Sequence, residues 1–83
     1  MNVLLIEDDK ITSQLYKNVL QKEGFSVFQA FDYNESIKML KEIKFELIIL
    51  DLRIPGRNGL EILKVMKRYN LRSNVIVVSG YSL

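Results

Sequence analysis

The chain of 83 residues contains no cysteine, no histidine, no tryptophan and only one proline. Without cysteine it has no disulfide, no thiolate nucleophile and no zinc site built from sulfur ligands. Without histidine it also lacks the usual general base and the commonest metal ligand. Any chemistry must therefore use carboxylates, hydroxyls, backbone groups, lysine or arginine.

Long apolar runs are also absent. No run approaches the roughly 18 residues that span a bilayer, and the N-terminus lacks the basic region and the long apolar stretch of a signal peptide. We therefore expect a cytoplasmic protein with no membrane partner. The net charge of +2 is small, and the lysines alternate with acids at helical spacing, which is typical of a solvated helix face. We expect no direct nucleic-acid contact.

The residues that are present suit one small globular domain, which we place at residues 1–83. Hydrophobic residues make up 48% of the chain and charged residues 27%, which is ordinary for a folded domain. A domain of this size buries only about 60 to 65% of its unfolded surface, so its stability is expected to be marginal. The sequence shows no internal repeat, low-complexity tract or linker.

Three short apolar runs rich in branched residues predict strands that are buried on both faces of a sheet. These runs are residues 3–6, 47–50 and 75–78. A fourth run, residues 25–30, is more polar and partly alternating, which is typical of an outer strand.

Helical patterns lie between these runs. Ile11, Leu15, Val19 and Leu20 share one face of a first predicted helix, which should stop at Gly24, a favoured C-terminal cap. The order of strands and helices predicts right-handed crossovers and a parallel sheet covered by helices on both faces.

Two further helices are predicted from capping-box spacing, at Asp32 with Glu35 and at Asn58 with Glu61. The third helix should fray near residues 69–74. The inner residues of the second helix should be Ile37, Leu40 and Ile43, and those of the third Leu60, Ile62, Leu63 and Met66.

Polar residues directly follow the predicted strands. In a parallel α/β sheet these residues lie on one rim, where ligands bind. Glu7 and Asp8 follow the first strand, and Asp51 follows the third. One aspartate after a strand is often only a turn former. Several crowded carboxylates repel one another unless a cation neutralises them or one stays protonated.

We therefore predict that Glu7, Asp8 and Asp51 meet in one pocket that holds a divalent cation beside a phosphate. An oxygen-only site suits Mg²⁺, and Mn²⁺ could substitute. Asp51 is the natural nucleophile toward phosphorus. Ser79, at the tip of the last strand, could donate a hydrogen bond to a phosphoryl oxygen, although it could equally be an ordinary strand-ending serine.

Residues 3–9, 47–59 and 75–80 resemble the receiver domain of two-component response regulators, and the resemblance runs over the whole chain. It implies a flavodoxin-like three-layer (βα) sandwich with a parallel sheet of strand order 2-1-3-4. A full receiver continues with a final α-β-α unit whose strand carries a lysine. By this resemblance the chain is the N-terminal part, about two thirds, of such a domain. We expect a homo-oligomer formed through an exposed fourth strand and an uncovered sheet face.

The resemblance also implies roles for individual residues. Asp51 would be the phosphoacceptor, and Glu7 and Asp8 the metal-binding acids. The backbone carbonyl of Arg53 would complete the metal site, and Ser79 would hold the phosphoryl group. The donor would be a phosphohistidine on a sensor histidine kinase or a phosphotransfer protein, because this chain has no histidine. Such a domain is not a conventional enzyme, since it catalyses only its own phosphoryl transfer and dephosphorylation.

Three alternatives stand beside this interpretation. The chain could be a truncated receiver acting as a non-switching assembly or interaction module. A magnesium-dependent phosphatase of the dehalogenase type would need an Asp-x-Asp motif, but the third position here is Arg53. Nucleotide binding would need a glycine-rich phosphate loop after a strand, which the sequence lacks.

Overall fold

The computed structural model of the chain describes residues 1–52, 59–69 and 73–78, and these form four strands and three helices. The order of strands and helices agrees with the prediction. The strands are β1 (Asn2–Ile6), β2 (Ser26–Ala30), β3 (Leu47–Asp51) and β4 (Asn74–Val78), and the helices are α1 (Lys10–Lys22), α2 (Tyr33–Glu42) and α3 (Leu60–Arg68).

The four strands form one parallel sheet in the order β2-β1-β3-β4, which confirms the flavodoxin-like prediction. Its register aligns Leu5 with Ile49 and Ile49 with Ile76. Because successive strand residues point to opposite faces, this row lies on one face and its sequence neighbours lie on the other. β2 is an outer strand, as its more polar sequence predicted.

One face of the sheet carries the core, packed beneath α2 and α3. Phe28 and Phe45 meet there edge to face, with ring centroids 5.5 Å apart. Apolar packing of branched strand residues against the inner sides of these two helices supplies most of the burial. The buried cluster consists of Leu4, Ile6, Ala30, Leu40, Phe45, Ile48, Leu50, Ile62 and Met66.

The opposite face is covered by α1 over β1 and β2 only. Ser13 of α1 is fully buried, and its hydroxyl oxygen accepts a 2.9 Å hydrogen bond from the side chain of Gln29 on β2. Burial falls across this face, since Leu5 on β1 is 1% exposed whereas Ile76 on β4 is 52% exposed. The prediction that residues 75–78 are buried on both faces of the sheet was therefore wrong. No described helix covers the β4 side of this face.

The prediction for α1 was wrong about which side packs. Ile11, Leu15 and Val19 are 74%, 61% and 62% exposed, so the apolar stripe meets solvent. The helix packs on the sheet through the side that carries Ser13, about half a turn around the helix axis from that stripe. The short serine permits close approach to β2. Of the four residues of the predicted stripe, only Leu20 is partly buried.

Helix ends follow local capping chemistry. Asp9 and Asp32 are the N-caps of α1 and α2, and the Asp32 carboxylate accepts a 2.8 Å bond from the Glu35 N–H as predicted. Gly24 follows α1 with a φ of 92°, a conformation that glycine adopts without strain.

The predicted cap and inner face of α3 need correction. Gly59, with no side-chain cap, precedes the helix where Asn58 was expected; Asn58 itself lies outside the described residues. Leu60, in the first turn of the helix, is 49% exposed and does not lie on the inner side, whereas Ile62 and Met66 do.

Candidate functional site

Two adjacent strand ends position three acidic residues. Glu7 directly follows β1, where its N–H donates a 3.1 Å hydrogen bond to the Ala30 carbonyl of β2. Asp51 is the last residue of β3. Since β1 and β3 are neighbours with Ile6 opposite Leu50, the residues after them emerge side by side. Parallel pairing therefore explains why acids distant in sequence converge.

The carboxylates of Glu7, Asp8 and Asp51 lie close enough to share one cation. Each offers an oxygen, and these oxygens all lie within 4.8 Å of one another. Asp8 is exposed, Glu7 is half-buried and Asp51 retains only 9% of its surface. The cluster therefore has an open side at Asp8 and a closed side at Asp51.

Electrostatics within the cluster are unfavourable when no cation is present. Burial raises the pKa of Glu7 to about 8, helped by a hydrogen bond with Asp51 and by the negative charges of Asp51 and Asp8. The Glu7 Oε2 atom is buried and accepts no hydrogen bond from the described residues. A buried oxygen without a partner beside two other carboxylates fits the ligand set of a hard divalent cation. The residues present thus suit Mg²⁺ or Mn²⁺.

The neighbouring acid Asp9 has a different role. Its carboxylate accepts a hydrogen bond from the Thr12 hydroxyl and a 3.3 Å bond from the Thr12 N–H. These bonds lower the pKa of Asp9, the hydroxyl bond contributing most. Asp9 therefore stays ionised as the N-cap of α1 and is not among the three converging acids.

Arg53, Ser79 and the glycine after Ser79 lie outside the described residues. The predicted contribution of the Arg53 carbonyl to a metal, and of the Ser79 hydroxyl to a phosphoryl group, both stay predictions.

Sequence reasoning missed the tight approach at Gly59. A Cβ built on this residue would lie 2.7 Å from the Leu52 Cα and 3.0 Å from the Asp51 carbonyl oxygen. The Gly59 N–H also donates a 3.0 Å bond to the Leu52 carbonyl. Gly59 therefore packs the start of α3 directly against the strand end that carries Asp51. The glycine itself was visible in the sequence, but nothing nearby in the chain shows what it packs against.

Comparisons with known proteins all indicate the same protein family. The response regulator receiver domain model matches residues 3–83. The cell cycle transcriptional regulator CtrA of Caulobacter vibrioides is 34% identical over 82 residues, which cover 99% of this chain and 36% of that protein. The transcriptional regulatory protein MalR of Bacillus subtilis is 38% identical over 84 residues, covering 99% and 36%. The chain thus spans about a third of the length of these relatives.

Solved structures similar to this chain belong to the same family. The response regulator protein TrrA of Thermotoga maritima, in complex with Mg²⁺ and a beryllium fluoride, has a TM-score of 0.89 at 28% identity, covering 98% of this chain and 70% of that one. A response regulator of Burkholderia pseudomallei, with a phosphorylated aspartic acid and a calcium ion, has a TM-score of 0.90 at 27% identity, covering 98% and 48%. With this sheet order, the converging acids and a family match over nearly its whole length, the chain belongs to the response regulator receiver domain family of two-component signalling.

Proposed function

We propose that this chain is a phosphoacceptor in a two-component relay, that Asp51 receives the phosphoryl group, and that Glu7, Asp8 and Asp51 hold Mg²⁺ or Mn²⁺. The observation that carries the proposal is the convergence of three carboxylates within 4.8 Å at the carboxyl ends of β1 and β3. The buried, unpartnered Glu7 Oε2 supports the metal assignment. The Arg53 carbonyl is proposed as a further ligand.

In the proposed reaction an Asp51 carboxylate oxygen attacks the donor phosphorus. The new O–P bond makes an aspartyl phosphate as the bond from phosphorus to the donor breaks, and the donor keeps that electron pair. When bound, the cation neutralises the pocket and a phosphoryl oxygen, which lets one anion attack another. The position of Asp51 at a rigid strand end limits its motion during attack. Hydrolysis of the aspartyl phosphate later regenerates the carboxylate.

The donor is proposed to be a phosphohistidine of a sensor histidine kinase or a phosphotransfer protein. The chain contains no histidine, so it cannot supply such a group itself. Asp8 is exposed, which leaves the cluster accessible from that side to a donor on another molecule. Within the described residues, no helix is both long and apolar enough to cross a membrane.

Intact-mass spectrometry with two small donors tests the proposal. Acetyl phosphate tests general competence, and phosphoramidate supplies the P–N bond of a phosphohistidine. With Mg²⁺ present, we expect an adduct of about 80 Da, the mass of one phosphoryl group. Asp51→Asn should abolish it, because an amide is a far weaker nucleophile than a carboxylate.

Asp9→Asn is the matched control, since it removes an acid two residues from Glu7 that only caps α1. It should keep the adduct. An adduct on Asp51→Asn would show that another residue is the acceptor. No adduct on the parent, with Mg²⁺ binding intact, would favour the alternative of a non-switching assembly module, which the exposed apolar residues of β4 support.

A further inference from the structure

Lys10 is the first residue of α1 and directly follows Asp9, the N-cap of that helix. It is exposed, and none of the described carboxylates lies within salt-bridge distance of its ammonium group. A positive charge in the first turn also opposes the helix dipole, whose positive end is there. Neither ion pairing nor helix electrostatics therefore explains a lysine at this position.

The Lys10 side chain lies against an aromatic ring instead. Its Nζ atom is 5.5 Å from the centroid of the Phe31 ring, within the range of a cation–π contact. Phe31 is half-buried and directly follows β2, at the carboxyl end of the sheet. The contact therefore favours positions of the ammonium group at the same end of the sheet as the candidate site.

The strand order places this charge beside the acidic cluster of Glu7, Asp8 and Asp51. β1 lies between β2 and β3, and the Glu7 N–H donates to the last carbonyl of β2. Phe31, after β2, and Asp51, at the end of β3, are therefore about two strand spacings apart, roughly 10 Å. Asp8, on the open side of the cluster, is two residues before Lys10. A ligand that enters on the Asp8 side therefore approaches the Lys10 charge.

We propose that Lys10, positioned by Phe31, attracts the anionic phosphoryl group of the donor toward Asp51. Three carboxylates carry one more negative charge than a divalent cation neutralises, so the filled cluster still repels an anion. A positive charge roughly 10 Å away reduces that repulsion and raises the rate at which the donor and Asp51 meet. This inference rests on the proposed function, and it makes Lys10 a recruiting residue and Phe31 a positioning residue.

The same charge should act in the opposite direction on the metal. A lysine beside the acidic cluster repels Mg²⁺ for the same reason that it attracts an anion. Removal of the charge should therefore slow phosphorylation and strengthen Mg²⁺ binding. A purely structural role of Lys10 would weaken both, so the two measurements together separate recruitment from folding.

Phosphorylation kinetics with saturating Mg²⁺ measure the effect of Lys10 on the donor. In Lys10→Gln at low ionic strength, the second-order rate constant for acetyl phosphate should fall about two- to fivefold, and Mg²⁺ affinity in calorimetry should rise about twofold. At an ionic strength of about 1 M the Debye length is only about 3 Å, so both differences should disappear. Lys10→Arg keeps the charge and should restore most of the parent rate.

Two small donors separate the effect of charge from other effects. Acetyl phosphate is a dianion at neutral pH, whereas phosphoramidate is a monoanion because its nitrogen carries an extra proton. Lys10→Gln should slow phosphorylation by both donors, and acetyl phosphate more, because attraction grows with the charge of the donor. A larger effect on phosphoramidate would contradict recruitment by charge.

Two further variants act as controls. Lys44→Gln removes the same charge from an exposed lysine between α2 and β3, at the opposite end of the strands, and should change neither rate nor affinity. Phe31→Leu keeps an apolar side chain but removes the ring, so it should reproduce part of the loss of rate. In the Lys10→Gln background Phe31→Leu should have no further effect, because it acts only through the lysine.

The outcomes also separate this inference from the proposed function. An adduct that forms equally fast on the parent and on Lys10→Gln would overturn recruitment by Lys10 and leave Asp51 as the phosphoacceptor. A loss of rate that persists at high ionic strength, or that accompanies weaker Mg²⁺ binding, would show a structural role of Lys10 instead. Additive effects of Phe31→Leu and Lys10→Gln would overturn the positioning role of Phe31. A parent that forms no adduct would overturn both proposals.

Discussion

The polar groups at the amino end of the strands hydrogen-bond to one another, whereas those at the carboxyl end are crowded and incompletely paired. At the amino-end rim, the Asn2 N–H bonds to a Glu46 side-chain oxygen at 2.9 Å, and the Ser73 hydroxyl bonds to the Phe45 carbonyl at 2.6 Å. At the carboxyl-end rim, formed by Glu7, Asp8 and Asp51, the Glu7 Oε2 has no partner among the described residues.

This difference suits the amino-end rim to stabilising the fold and the carboxyl-end rim to the proposed binding of a cation. The amino-end rim joins chain segments far apart in sequence, since the Asn2 side-chain amide donates to the Lys44 carbonyl and the Glu46 backbone N–H donates to the Asn2 carbonyl. Hydrogen bonds of this kind each contribute about 1 kcal/mol. At the carboxyl-end rim the crowded acids instead cost free energy, which the proposed cation would recover on binding. The two rims should therefore respond in opposite ways to substitution.

The largest expected effect comes from disturbing the backbone of the carboxyl-end rim. In Gly59→Ala the new methyl would lie 2.7 Å from the Leu52 Cα, so backbone must move at the strand end that carries Asp51. We expect unfolding in urea to show a loss of about 1 to 3 kcal/mol, and Mg²⁺ affinity to fall with it.

Gly24→Ala is the control glycine. Its Cβ would contact nothing within 4 Å, but its φ of +92° is costly for alanine. It should lose about 1 kcal/mol and keep the parent Mg²⁺ affinity. If Gly59→Ala bound Mg²⁺ as tightly as Gly24→Ala does, the close packing at Gly59 would not be holding the carboxyl-end rim in place.

An intermediate effect is expected from pH. The pKa of Glu7 is about 8 in the folded, metal-free protein and 4.5 in the unfolded chain. Protonation of Glu7 therefore contributes most to the free energy of unfolding below pH 4.5, and this contribution is lost as the pH rises to 8. Mg²⁺ must displace that proton. Its apparent affinity should therefore rise by up to about tenfold per pH unit below 8 and level off above it.

Calorimetric Mg²⁺ titrations at several pH values measure this, and buffers of different ionisation enthalpy count the released proton. Glu7→Gln should flatten both the stability and the affinity profiles between pH 5 and pH 8. Asp9→Asn should leave them unchanged, because hydrogen bonds to Thr12 lower the pKa of Asp9. A parent profile without any slope in this range would show that Glu7 is already ionised in the metal-free protein.

The smallest effect should come from the amino-end rim. Glu46→Ala removes the acceptor of the Asn2 N–H in an exposed hydrogen bond, so a loss of about 0.5 to 1 kcal/mol is expected. Glu46→Gln keeps an acceptor oxygen and should stay close to the parent. Neither should alter Mg²⁺ affinity, and a change in that affinity would show that the two rims are coupled through the sheet.

Local sequence patterns were sufficient for much of this structure. The strands were predictable because short runs of branched residues are too brief for helices, and the α2 cap because Asp32 bonds to the nearby Glu35 N–H. The convergence of Glu7, Asp8 and Asp51 was predictable as well, since parallel strands bring the residues after them to one rim.

Other features depend on contacts between distant residues. Ile11, Leu15 and Val19 form an apolar stripe whose spacing predicts burial, yet α1 packs through Ser13, whose hydroxyl accepts a hydrogen bond from Gln29 of β2. The sequence shows which side of a helix is apolar but not what lies against it.

By itself, the sequence determined the order of the strands and helices, the parallel sheet and the three acids of the carboxyl-end rim, because these follow from local propensity and from where each strand ends. Only the tertiary structure decided that the pKa of Glu7 is raised to about 8, that Gly59 touches the Leu52 backbone, and that Leu5, Ile49 and Ile76 align across the sheet. Burial, close approach and strand register each depend on residues far apart in the chain, so no local pattern encodes them.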